Sequence, residues 1–226
     1  NYSIAMGTDS SSIGIASFTM GNTCTAEADY SIAGGLRSRV SETSRSGIAL
    51  GEGDSIDNAN NAIAIGSFNT VSGVNSIAIG QYGTITGQNS VILGAVASAA
   101  DSNMVHADFS YVMGKGNTLA SGANQSFVFG IDNRLSAGAV DNYVFGTGAT
   151  LTAGTNNSTV FGKNVTIEGD FGFGINLGAG IANSLSEWAP IKATSNNFMS
   201  IQHGNVSIGT DSDLRVLAVS TGTGNL

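Results

Sequence analysis

Apolar residues in this chain come in short bursts that a glycine closes. Ser3-Ile-Ala-Met-Gly7 recurs as Ser76-Ile-Ala-Ile-Gly80, Ser90-Val-Ile-Leu-Gly94, Ser110-Tyr-Val-Met-Gly114, Ser126-Phe-Val-Phe-Gly130, Asn142-Tyr-Val-Phe-Gly146 and Ser158-Thr-Val-Phe-Gly162. The closing glycines stand at 7, 21, 35, 51, 66, 80, 94, 114, 130, 146, 162 and 178, and all but one of their spacings are 14 to 16 residues. Such regularity marks a repeat architecture. Each cycle also has a weaker second half, seen in Val71-Ser-Gly73, Ile85-Thr-Gly87, Leu119-Ala-Ser-Gly122, Leu135-Ser-Ala-Gly138 and Leu151-Thr-Ala-Gly154. Two short strands and two Gly/Asn turns fill a cycle. Helix is excluded, because the apolar runs are too short, too β-branched and too often broken by glycine.

Stacked cycles of this kind predict an all-β parallel β-solenoid. Twelve coils spaced ~4.8 Å apart make a rod roughly 55–60 Å long. The position before the closing glycine reads Leu50, Ile65, Ile79, Leu93, Met113, Phe129, Phe145, Phe161, Leu177. Two residues earlier stand Ile48, Ile63, Ile77, Val91, Tyr111, Phe127, Tyr143. These two columns share a face by the period-two rule and are expected to fill the coil. The column between them reads Ala5, Ala49, Ala64, Ala78, Ile92, Val112, Val128, Val144, Val160. A strand that is apolar on both faces is covered on both faces. The expected cover is another copy of the chain, with Ala64, Ala78, Ile92, Val112, Val128, Val144 and Val160 at the contact.

The run Asn75-Ser-Ile-Ala-Ile-Gly80 and its relatives resemble the head repeats of trimeric autotransporter adhesins. The resemblance covers about residues 1–178 and is strongest at 62–94. It implies a left-handed β-roll and a homotrimer with three rolls side by side; it implies no particular ligand. The collar-like neck motif that normally follows such heads is absent from the sequence.

The period stops after residue 180, so the chain is divided into a β-roll at 1–180 and a short non-repeat β segment at 181–226. The second part holds Ser186-Glu-Trp-Ala-Pro-Ile-Lys-Ala193, Gly204-Asn-Val-Ser-Ile-Gly-Thr210 and Leu214-Arg-Val-Leu-Ala-Val219. These stretches resemble the shaft and distal regions of bacteriophage tail fibres. Asp211 to Asp213 stand where that pattern usually has a proline. Ile191, Ala193, Phe198 and Ile201 suggest strands, and Trp188 reads as a packing plug.

Composition agrees with a folded, non-collagenous chain. Of 226 residues 32 are glycine and one is proline, with hydrophobic content of 41%. The net charge of −8 argues against nucleic acid, whose binding needs Lys and Arg on phosphates. A lone Cys24 permits no internal disulfide and reads as a packing residue. No apolar run approaches the ~20 residues of a membrane-spanning helix, so no membrane insertion is expected of this segment. The chain opens inside a repeat and is expected to be a piece of a longer protein.

Chemistry is sparse. His106 and His203 lie in unlike regions, and no Gly-x-Ser-x-Gly, His-Glu-x-x-His or Gly-Gly-x-Gly-x-Asp motif occurs. No enzyme, cofactor or metal is expected. Glu52, Asp54 and Asp57 form an acidic turn, read as solvated. Recognition is expected on departures from the scaffold. The 20-residue spacing between Gly94 and Gly114 places Asp101, Asn103, Met104, His106, Asp108 and Phe109 on or beside an extra loop. Arg37, Arg39 and Arg45 are a second candidate, for acidic surface glycan, unless they pair with Glu27 and Glu42. Tyr82 and Phe68 offer aromatic faces for sugar. The expected function is receptor binding by a trimeric bacteriophage tail fibre in the virion, on a bacterial surface glycan or outer-membrane receptor. The alternatives are a cell-surface adhesin head and a polysaccharide-degrading tailspike with paired carboxylates.

Overall fold

A computed structural model describes residues 2–94, 96, 98–176, 191–193 and 199–200. Each cycle gives one long strand ending at or just past the closing glycine, such as Ile77–Gln81 or Phe127–Ile131, and one short strand, such as Thr84–Ile85 or Arg134–Leu135. Long strands stack only on long strands, in a 13-stranded parallel sheet, and short ones only on short ones, in a 12-stranded sheet. Equivalent residues are in register from coil to coil, as in Ala64↔Ala78 and Val128↔Val144. The chain is therefore a parallel β-solenoid. Ile191–Ala193 and Met199–Ser200 extend the two sheets, pairing with Val165–Ile167 and Phe173–Gly174. The expectations for Leu177, Trp188, Phe198, Ile201, His203 and residues 204–219 lie outside the described residues.

The closing glycine is dictated by backbone approach. At Gly130 φ is +142°, and a Cβ there would overlap the carbonyl of Gly146 in the next coil. The same clash recurs down the column, so one side chain would push two coils apart. Two residues after the glycine the chain takes the left-handed conformation again, at Arg37, Phe68, Tyr82 and Asp132 among others.

The interior is the reverse of what the size of the apolar residues suggested. The middle column of the long strand points inward. Ala49, Ala64, Ala78, Val112, Val128, Val144 and Val160 are fully buried within one chain, and Ile92 is 1% exposed. Facing them from the short strands are Ile56, Val71, Ile85, Val105, Leu119, Leu135 and Leu151, also fully buried. The inside is thin, with about one apolar residue from each strand per coil. The long-strand column changes from Ala at 49, 64 and 78 to Ile at 92 and Val at 112, 128, 144 and 160. The flanking columns point out. Ile79, Leu93, Phe129 and Phe161 are exposed, as are Tyr111 and Tyr143; Ile48, Ile63, Ile77, Val91, Met113, Phe127 and Phe145 are half-buried.

Polar files flank the thin core. Buried Ser76, Ser90, Ser110 and Ser126 stack just before the long strands, each hydroxyl accepting the backbone N–H of the next member, as from Ser90 to Ser76 at 3.0 Å. A second file sits just before the short strands, three residues past the glycine except at Asn103, which stands nine past Gly94. In it the Asn117 amide donates to Asn103 Oδ1 at 3.0 Å and to the Gly130 carbonyl at 2.8 Å. These bonds satisfy carbonyls and amides that the turns leave off the sheet ladders.

Candidate contact surfaces

The residues expected between chains, Ala64, Ala78, Ile92, Val112, Val128, Val144 and Val160, lie inside the coil, already buried within a single chain. The reason is the period-two geometry of the motif. Ser76, Ala78 and Gly80 share one face, and that face packs against the larger Val, Ile and Leu side chains of the short strands. Ile77 and Ile79 are displaced to the outside.

That outer face follows the long strands along the rod, interrupted where Gly34 stands between Met20 and Leu50. It runs from Met6 and Met20 through Leu50, Ile65, Ile79 and Leu93 to Met113, Phe129, Phe145 and Phe161. The aromatic end is ordered by ring contacts. Phe145 and Phe161 stack at 5.1 Å between centroids with a 7° interplanar angle, and Phe127 lies 5.6 Å from Phe145. Gly114, Gly130 and Gly146, having no side chains, floor a groove beside this wall. Met113, Phe129 and Phe145 line one bank, and Ile131 and Thr147 the other.

The extra residues of the long cycle precede Asn103, and the described ones among them are Val96 and Ser98–Ser102. Asn103 has already rejoined the buried file, with its amide 2.7 Å from the Gly114 carbonyl, so it is excluded as a receptor contact. Within the insertion Ala99–Asp101 form a 3-10 turn. Asp101 pins it to the next coil, accepting the Gly116 N–H on its carbonyl at 2.8 Å and the Lys115 ammonium on its carboxylate at 3.2 Å. Met104 stands outward on the short strand, 36% exposed. His106 Nδ1 is 2.7 Å from Thr86 Oγ1, and Phe109 projects from the second turn, 56% exposed. Asp108 is used locally, accepting the Gln88 N–H at 2.7 Å. These residues occupy the first turn, the short strand and the second turn of one coil; they line no single cleft.

The arginines do not converge either. Arg37 pairs with Glu52 at 3.1 Å from the first turn, and Arg39 with Glu27 at 2.9 Å on the short-strand face. Arg45, on the second turn, lies over the exposed Tyr30 ring at 5.0 Å. Phe68 and Tyr82 stack on one another at 5.3 Å, which occupies one face of each ring. The outer apolar face, and the Tyr30–Arg45 pair, are what sequence reasoning missed. The signal for the first was the small-residue alternation of Ser, Ala and Gly in the motif.

Among the described residues no group of three His, Cys, Asp or Glu comes together to hold a metal ion, and no helix is long and apolar enough to cross a membrane. The acidic turn is not a solvated one: Asp54 is fully buried, and burial raises its carboxyl above the usual carboxylate range against the pull of the Asn69 N–H donors and the Gly66 backbone. The chain matches no protein-family model and no curated protein.

Proposed function

We propose that this chain is a non-enzymatic attachment segment of a homotrimeric fibre, in the manner of a bacteriophage tail fibre. The observation that carries the reading is the outer apolar face. It extends along some ten stacked coils, or roughly 50 Å. With two columns of large side chains across it, the exposed stripe exceeds what a monomeric surface ordinarily leaves to water. A partner that covers it continuously needs the same coil-to-coil repeat, and a second copy of this chain has it. Closed symmetry with three copies leaves the short-strand face and the turns outside, where Met104, His106, Phe109, Tyr30 and Arg45 meet a surface glycan or outer-membrane receptor. Glu27, Glu52 and Asp101 are tied to Arg39, Arg37 and Lys115, which supports a non-enzymatic reading of those acids.

The tail-fibre reading over an adhesin head rests on the resemblance of Trp188-Ala-Pro-Ile-Lys-Ala193 and the segment after it. The test is adsorption. The assembled protein should compete with phage for host cells, and a Met104→Ser/Phe109→Ser variant of unchanged mass should compete less well. An assembled protein that binds no bacterial surface, or a variant that competes undiminished, overturns the reading or the placement of the contact.

A further inference from the structure

The file just before the short strands, three residues past the closing glycine except at Asn103, obeys one rule along the rod. Where its side chain carries a donor, that donor serves the carbonyl of the closing glycine of the next coil. Ser10 Oγ donates to Gly21 at 3.1 Å, Cys24 Sγ to Gly35 at 3.3 Å and Ser38 Oγ to Gly51 at 3.1 Å. Asn69 Nδ2 donates to Gly80 at 3.0 Å, Asn103 to Gly114 at 2.7 Å, Asn117 to Gly130 at 2.8 Å and Asn133 to Gly146 at 2.9 Å. Between Ser38 and Asn69 stands Asp54. Its carboxyl copies the asparagines on one side only. Oδ1 accepts the backbone N–H of Asn69 at 2.9 Å and its side-chain amide at 3.0 Å, as Asn103 Oδ1 does from Asn117. Oδ2 takes the place of the donating amide and has no partner, in a residue with no exposed surface. An ionised carboxylate has no hydrogen to give there.

We propose that Asp54 is carried as a neutral carboxylic acid whose Oδ2–H donates to the Gly66 carbonyl, making the step between the coils closed by Gly51 and Gly66 a proton-dependent joint. No cation offsets the alternative. On its own coil the charged neighbours are Glu52 and Asp57. On the coil before, Arg37 is paired with Glu52 and Arg39 with Glu27, both at the surface, Arg45 on the second turn lies over the Tyr30 ring, and Glu42 is exposed. The coil after, from Ser67 to Ser72, carries no charge. Desolvation therefore acts on the carboxyl without a compensating ion pair.

The sign follows by linkage. The folded chain holds this proton more tightly than the unfolded one, so the bond's stabilisation is complete below the ordinary aspartate range near pH 4. It declines as pH rises through that value toward the raised folded one. Asp54→Asn supplies a permanent donor of the type the file already uses. Melting curves of the assembled wild type and Asp54→Asn between pH 4 and pH 8 test the idea. The variant should melt higher at pH 8, and the gap should shrink on acidification by roughly 3–5 °C per pH unit across the titration window. Carboxyl carbon NMR of the wild type should show Asp54 still protonated above the range of the exposed aspartates. Parallel melting profiles, an Asn variant less stable at pH 8, or a carboxyl that titrates with the exposed aspartates would each overturn the proposal.

Discussion

Val128 and Phe129 are adjacent in one strand and are assigned opposite duties, so the same substitution at each should have opposite consequences. Val128 is fully buried between Val112 and Val144 in the coil. Aspartate there forfeits the burial of a valine side chain, about 1.5–3 kcal/mol, and strands a carboxylate with no polar partner, which costs several kcal/mol more. The total is on the order of 5 kcal/mol, comparable to the whole stability of many domains. Val128→Asp should therefore lose its β-sheet circular dichroism at ordinary temperature. Phe129 is 50% exposed in the single chain. Its replacement by Asp costs the coil about 1–1.5 kcal/mol, half of a full phenylalanine burial. It also places a charge in the middle of the outer apolar face. Phe129→Asp should keep its β-sheet signal and lose assembled mass in light scattering. A well-folded Val128→Asp would refute the inward assignment, and a fully assembled Phe129→Asp would refute the outer face as the contact.

Three further substitutions probe the scaffold. Gly130→Ala must strain a positive φ and displace the Gly146 carbonyl, and should lower stability by about 2–5 kcal/mol, whereas Gly154→Ala, with open space around it, should cost only about 1–2 kcal/mol; equal denaturant midpoints would contradict the backbone argument. Thr19 points inward in the alanine column with a buried hydroxyl that has no partner, so Thr19→Val should raise the melting temperature by roughly 2–4 °C; a fall would mean the hydroxyl is bonded.

The two strands per cycle and the parallel stacking could be read from the glycine spacing, because the closing glycine is a backbone requirement and its period is the coil itself. The facing of the long strand could not be read by size. A rule that sends the large apolar residues inside fails when the inside is thin and the outside is itself apolar. The alternation of Ser76, Ala78 and Gly80 carried the answer, since a small set on the long strand leaves room for the Val, Ile and Leu of the short strand that faces it. The pairing of Arg37 with Glu52 was readable in principle, because their separation is about one coil. The burial of Asn103 and Asp54 was readable only after the file through Asn69, Asn117 and Asn133 had been recognised, since each residue alone looks like a polar turn.

The central claim is that the outer face of the long strands is closed by other copies of the chain. The molar mass of the purified protein, by light scattering across its elution peak, tests it most directly. The account predicts three times the 22.7 kDa chain, with Phe129→Asp at the mass of one. A folded wild-type protein at 22.7 kDa would contradict it, because the Ile, Phe and Tyr columns would then stand in water along the whole rod.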